Sequence, residues 1–212
     1  MNRTLIIVLI VSAVVSYLIG GVNAAIIMSK LLHHEDIREK GSGNPGFTNY
    51  KRVYGMSPAA VFVMCADILK AVLCAGVTAA ICGNVADMFQ FGAAFAGLFC
   101  MLGHCFPVWY GFKGGKAFMT GFGTTWFVDW RMALIAMVIF LILLFTIKYM
   151  SVSSCVASFV CPVALAILGP ASIGVWCLCA ASALLVIVRH YPNFVKLKNG
   201  TESKFSFKSK SK

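Results

Sequence analysis

The sequence predicts an all-α protein, a polytopic integral membrane bundle of seven transmembrane helices with the N-terminus outside and the C-terminus cytoplasmic. Three observations carry this expectation: an apolar composition, seven separate apolar runs, and the placement of Lys and Arg between them. Of 212 residues, 60% are hydrophobic and only 12% are charged, and the mean hydropathy is +0.87. Both lie far outside the range of soluble domains. The 18 Lys and Arg against 7 Asp and Glu do not point to nucleic acid, because the chain lacks the polar surface such a partner needs. The cations belong at membrane edges, beside lipid headgroups.

The apolar runs are residues 4–29, 57–82, 88–103, 117–128, 132–149, 152–168 and 171–188. Most approach the roughly 20 residues that a crossing requires, and the fourth is the shortest. The first begins like a signal peptide but continues without a small-x-small cleavage site, so it reads as a retained span. With seven spans and an outer N-terminus, Lys30, Arg38, Lys40, Lys51, Arg52, Lys113, Lys116, Lys148, Arg189 and the basic tail fall on the cytoplasmic side. Only Arg3 and Arg131 stay outside. Omitting the fourth run would move Lys148, Arg189 and the tail against the positive-inside bias. Residues 1–204 form one membrane-embedded domain, and 205–212 form a basic, disordered tail. The nine cysteines include no C-x-x-C pair, which favours small apolar packing over metal or disulfide roles.

Four polar patches then share the cytoplasmic face. The stretch GSGNPGFTNYKR, residues 41–52, contains a G-x-G-x-x-G without the strand that a dinucleotide fold would put before it. Its glycines allow several N–H groups to face one anion. Ser42, Gly43, Asn44, Thr48 and Asn49 then supply backbone or side-chain donors, and Arg52 a fork for phosphate oxygens. The alternative is a plain interhelical turn whose cations serve topology. A second patch, GHCFPVWYGFKGGK at 103–116, sets Lys113 and Lys116 around Gly114 and Gly115. It fails the Walker pattern, since Tyr110 and Ala117 occupy two required positions. His104 there either packs at a helix end or transfers a proton. The serines of 151–154 either aim at an anion or cap the sixth span. In the fourth patch His190 and Asn193 lie three residues apart, with Glu202 downstream. Asp67 and Lys70, at i and i+3 inside the second span, either neutralise each other or serve substrate.

Taken in order, DIREKGSGNPGFTNYKR, DILK, GHCFPVWYGFKGGK, SVSS and HYPNFVKLKNGTESKF resemble the bacterial membrane acyl-phosphate:glycerol-3-phosphate acyltransferases. The resemblance covers nearly the whole chain. It implies a seven-helix enzyme of the bacterial plasma (inner) membrane, its active site facing the cytoplasm. The implied reaction transfers an acyl group from acyl phosphate to the primary hydroxyl of glycerol 3-phosphate, the first acylation step of phospholipid synthesis, giving lysophosphatidic acid and inorganic phosphate. The implied phosphate-binding set is Ser42, Asn49, Arg52, Lys113, Lys116, Ser153 and Ser154, with His104 and Glu202 beside it. His190 and Asn193 are the implied catalytic pair, and Asp67 with Lys70 supports the site. No cofactor or metal is required. Expected partners are the two substrates, membrane lipids and, transiently, the enzyme that makes the acyl phosphate.

Other classes fit less well. The H-x-x-x-x-D acyltransferases are excluded, because Trp109 and Val195 stand five residues after His104 and His190. A metal-dependent lipid phosphotransferase would need several intramembrane aspartates. A transporter or flippase for a phosphorylated metabolite is the main alternative, but its two-sided access matches poorly with patches on one face.

Overall fold

The computed structural model describes residues 3–169 and 171–206, and among these there is no strand. Ten α-helices follow one another: α1 (Arg3–Gly21), α2 (Ala24–His33), α3 (Phe47–Tyr54), α4 (Pro58–Ala86), α5 (Phe89–Cys105), α6 (Phe118–Val128), α7 (Trp130–Thr146), α8 (Met150–Leu168), α9 (Ile173–Arg189) and α10 (Tyr191–Lys198). Short polar side chains set several boundaries. Ser57 caps α4 by accepting from Ala60 N, and Asp129 caps α7 by accepting from Arg131 N and Met132 N. Ser172 caps α9 through Val175 N. Each cap satisfies a helical N–H that has no intrahelical acceptor.

The outside of the bundle is apolar. On α4, Leu69, Leu73 and Val77 are 56%, 62% and 58% exposed, one stripe at helical spacing, while Lys70, Cys74 and Thr78 on another face are buried. This inversion of the soluble pattern suits lipid, and the protein is an integral membrane protein. Among the described residues four helical stretches are long and apolar enough to cross: 3–33, 58–86, 89–110 and 150–168. A fifth arises if α9 and α10, bent by 47°, count as one. All seven expected runs are helical, yet length supports fewer crossings than seven. The 11 residues of α6 rise only about 16 Å, about half the ~30 Å hydrocarbon core.

The first span is also broken where a continuous run was expected. Asn23 caps α2 by accepting from Ile26 N and donates 3.0 Å to Pro45 O, so the break ties the span to the glycine loop. The four expected patches do meet at one end of the bundle. Arg38 donates 3.1 Å to Tyr110 O, Lys116 reaches Asn193, Phe205 N donates 2.6 Å to Lys148 O, and Lys51 reaches Ser206 O. The opposite end holds an apolar core that includes Ala75, Ala79, Val128, Met132, Leu165 and Val175.

Candidate active site

The glycine loop is folded around one buried amide. Gly41 and Gly43 take φ of +58° and +74°, values that glycine adopts without penalty. Asn49, 1% exposed, accepts from Ser42 N at 2.8 Å and donates to Ile37 O and Lys40 O at 3.3 and 3.0 Å. Both hydrogens of its amide are spent on the loop. Asn49 therefore braces the glycine loop from below, where the sequence reading has it as a direct phosphate donor. The stretch then continues as a helix that was expected to be loop. The N–H groups of Phe47, Thr48 and Asn49 open α3, and the first to find a backbone acceptor across its start is Tyr50 N, on Gly46 O at 3.0 Å. Ser42 and Arg52 are exposed, while Asn44 and Thr48 are half-buried.

A buried polar cluster lies between α4 and α5. Lys70 Nζ is 2.8 Å from Asp67 Oδ1, 2.9 Å from His104 Nδ1 and 3.0 Å from Val22 O, which uses all three ammonium hydrogens. His104 Nδ1 also lies 3.4 Å from Asp67 Oδ1, so the three side chains form one buried cluster. A Cβ added to Gly115 would collide with His104 Nε2. His104, read from the sequence as packing at a helix end, transferring a proton or standing beside the phosphate set, lies against the Asp67 and Lys70 pair and underlies the glycine turn.

Beyond the turn the second and fourth patches interlock. Lys116 Nζ donates to Asn193 Oδ1, and Asn193 Nδ2 donates to Glu202 Oε1 at 2.6 Å. Burial pushes the Lys116 ammonium down to about 8; Lys196 and Arg189 add to the fall, and Glu202 and Cys155 oppose it. The proximity of Cys155 brings in the first turns of α8. There Ser153 and Ser154 are buried, Ser153 Oγ donates to Tyr149 O at 3.0 Å, and buried Ser151 Oγ has no partner among the described residues. His190, 5% exposed, sits at the bend between α9 and α10. Its Nδ1 donates to Val186 O at 2.8 Å, which leaves Nε2 as a proton acceptor. Lys113 is exposed on the rim of this region.

An apolar cleft begins beside these groups, its lining including Phe118, Ala157 and Val186 near them and Ala94, Val128 and Met132 at its far end. Phe118 is two residues from Lys116, Ala157 follows Ser154 by one turn, and Val186 O holds His190. The chain end also joins the site. Lys51 Nζ lies 4.0 Å from the centre of the Phe205 ring, so Phe205 and Ser206, the first two residues of the tail expected from 205 onward, pack beside Lys51 and Lys148. Residues 207–212 lie outside those described. Sequence reading missed Asn23 and Arg189. The signal for Arg189 was its position directly before His190, although its contacts come from residues more than seventy positions away.

The fold and this site define an integral-membrane helical enzyme that gathers cations, amides and hydroxyls against an apolar cavity. The family described as glycerol-3-phosphate acyltransferase matches residues 10–200. Among curated relatives, a glycerol-3-phosphate acyltransferase of Francisella tularensis subsp. mediasiatica is 34% identical over 197 residues, 93% of each chain. One from Neisseria meningitidis serogroup B is 38% identical over 190 residues, 90% of this chain and 94% of the other. The crystal structure of PlsY (YgiH), an integral membrane glycerol 3-phosphate acyltransferase, in its glycerol 3-phosphate form is similar with a TM-score of 0.83. It is 31% identical, with 93% of this chain and 96% of that one covered. Its lysophosphatidic acid form gives 0.80 at 30% identity, covering 94% and 96%. The chain belongs to the glycerol-3-phosphate acyltransferase family, and it is an acyltransferase.

Proposed function

We propose that this protein transfers an acyl group from acyl phosphate to the primary hydroxyl of glycerol 3-phosphate. The observation that carries the reading is the linked set Lys116, Asn193 and Glu202, placed between the α8 serines and His190 at the mouth of an apolar cavity. Lys116, Ser154 and the α8 N-terminus bind one phosphate, with Ser153 bracing that helix start through Tyr149 O. Ser42, Thr48, Arg52 and the α3 N–H groups bind the other, with Gly43, Asn44 and Asn49 shaping that loop and Lys113 adding charge at the rim. Gly114 and Gly115 place Lys116, while Asp67, Lys70 and His104 support them from beneath.

The acyl chain occupies the cavity, which leaves its carbonyl among the polar groups. The acceptor oxygen attacks that carbonyl carbon, the bond from carbon to the phosphate oxygen breaks, and inorganic phosphate leaves with lysophosphatidic acid as the other product. The hydroxyl proton passes to the leaving phosphate or to His190 Nε2. Because phosphate leaves readily, placement of the reactants and stabilisation of charge by Lys116 and Asn193 supply most of the acceleration.

In this reading α6 and α7 complete seven spans in a bacterial plasma membrane, and the polar end faces the cytoplasm, as the distribution of Lys and Arg supports. The bacterial relatives support the location. The enzyme that makes the acyl phosphate is a transient partner there. The decisive measurement compares palmitoyl phosphate with palmitoyl-CoA as donors to glycerol 3-phosphate for the purified protein. Turnover and phosphate release with the first alone are expected. Equal use of the thioester would remove acyl phosphate from the proposal, and substrate movement across liposomes without turnover would remove the reaction.

A further inference from the structure

The turn between α5 and α6 is held more completely than its glycine content suggests. Gly114 N donates to Cys105 O at 3.2 Å and Gly115 N to His104 O at 2.9 Å, so the end of α5 takes both N–H groups. Both carbonyls go to one side chain: Arg189 Nε donates to Gly115 O and Arg189 Nη2 to Gly114 O, each at 3.0 Å. The guanidinium also lies 5.0 Å from the centre of the Phe106 ring, a face that suits a planar cation. Neither glycine has room for a Cβ, which at Gly114 would meet His104 O and at Gly115 the His104 ring. Lys116 leaves this pinned turn directly, and His190 follows Arg189 directly.

We infer that Arg189 is a positioning residue that locks the Gly114 and Gly115 turn to the end of α9, and so fixes Lys116 relative to His190 and Asn193. The two halves of the candidate site come from segments more than seventy residues apart, and Arg189 bridges their backbones without itself being one of the reacting groups. The fork geometry matters more than the charge. A lysine could satisfy one carbonyl at a time, while a guanidinium satisfies two consecutive ones and fixes their plane. The groups that face Lys116 are Asn193 and Lys196 on α10, Glu202 beyond it, Cys155 on α8, and Arg189 with His190 at the end of α9. Of these, Arg189 acts on Lys116 both through the turn and by repulsion.

This role rests on the proposed reaction only for its kinetic readout, so the test includes one measurement that needs no substrate. In full-length protein purified in detergent, the rate of Lys116 acetylation against pH, followed by mass spectrometry, reports when its amine becomes free. The midpoint is expected near 8 in the unaltered protein, and to move both in Arg189→Ala, which also removes a like charge, and in Arg189→Lys, which keeps the charge but frees the turn. With palmitoyl phosphate and glycerol 3-phosphate, both variants are expected to lose about 100-fold in kcat, the scale for a reactant displaced by about 1 Å. KM for glycerol 3-phosphate should stay within about threefold, since a positioning group adds no uniform binding. Added methylguanidinium is expected to restore part of the kcat of Arg189→Ala.

Full kcat in Arg189→Lys would overturn the inference, as would a loss carried wholly by KM, which would make Arg189 a substrate ligand. Failure of methylguanidinium together with an unmoved Lys116 midpoint would reduce Arg189 to a structural residue. If Arg189→Ala does not fold, Phe106→Leu keeps both hydrogen bonds and removes only the ring. It is expected to lower kcat severalfold at constant KM, and an unchanged kcat there counts against the inference. Absence of turnover in the unaltered protein, with the acetylation shift intact, would refute the reaction and leave the positioning role standing.

Discussion

At the scale of single residues, the site is governed by how many hydrogen-bonding positions each side chain has left. Asn49 has no hydrogen to spare. Asn49→Ala strands Ser42 N, Ile37 O and Lys40 O, at about 1–3 kcal/mol for each one that stays buried. The expected outcome is a lower melting temperature in detergent together with a raised KM for glycerol 3-phosphate, measured on the same preparation. Glu202 is the acid that favours the charged form of Lys116. In the free enzyme Lys116 is cationic below about 8 and loses its charge as pH rises, so kcat/KM should fall on the alkaline side with a limb near that value. Glu202→Gln removes a stabilising anion, and its limb should move to lower pH. A limb that stays in place would separate Glu202 from Lys116 electrostatically.

Much of this was legible in the chain. Lys116, Asn193 and Glu202 could be singled out because they stand in polar patches between apolar runs, in blocks that carry the family resemblance. What could not be read was direction. Asn49 looks equally fit to face a phosphate or the loop beneath it, and His104 equally fit to face a ligand or Lys70. Only the packing of α4 against α5 decides the second case, and no periodicity encodes that.

At the scale of elements, a helix's length and its neighbours decide its use. The apolar runs located the helices of all seven expected spans, since a 20-residue hydrophobic run has few other fates. The break at Asn23 escaped notice because its cause is a contact with Pro45, distant in sequence. Helix α3 was hidden as well, since its glycine-rich approach reads as loop and its eight residues are too few for a clear period.

The cavity is likewise a product of elements: α6 and α9 form walls, and Ala94 and Met132 close the far end. Ala94→Leu should shift the donor preference toward shorter chains, with kcat/KM for the longest donors falling about fourfold for each methylene displaced. A series from dodecanoyl to octadecanoyl phosphate measures this, and an unchanged ranking would place the acyl chain elsewhere.

At the scale of the molecule, one end gathers the polar loops and the other holds an apolar core. Four loops share the polar end, so reporters on all of them should label from the same compartment. Cysteines placed at Arg52, Lys113 and Lys196 are expected to react with an impermeant maleimide only after cells are permeabilised. Reaction of any one in intact cells would contradict a cytoplasmic site. The charge distribution suggested this polarity at the start, because each loop is short and its cations can be counted without knowing how the helices pack.

The late position of α10 has a temporal consequence. Lys116 is made and inserted with the fifth and sixth helices, yet Asn193 is made 77 residues later and Glu202 later still. A ribosome that stalls before Asn193 releases a bundle whose helices are in place and whose central ammonium has no counterpart. On the proposed role of Asn193, competence arrives only once α10 has been made, and copies terminated before it are expected to fill the bilayer without turnover.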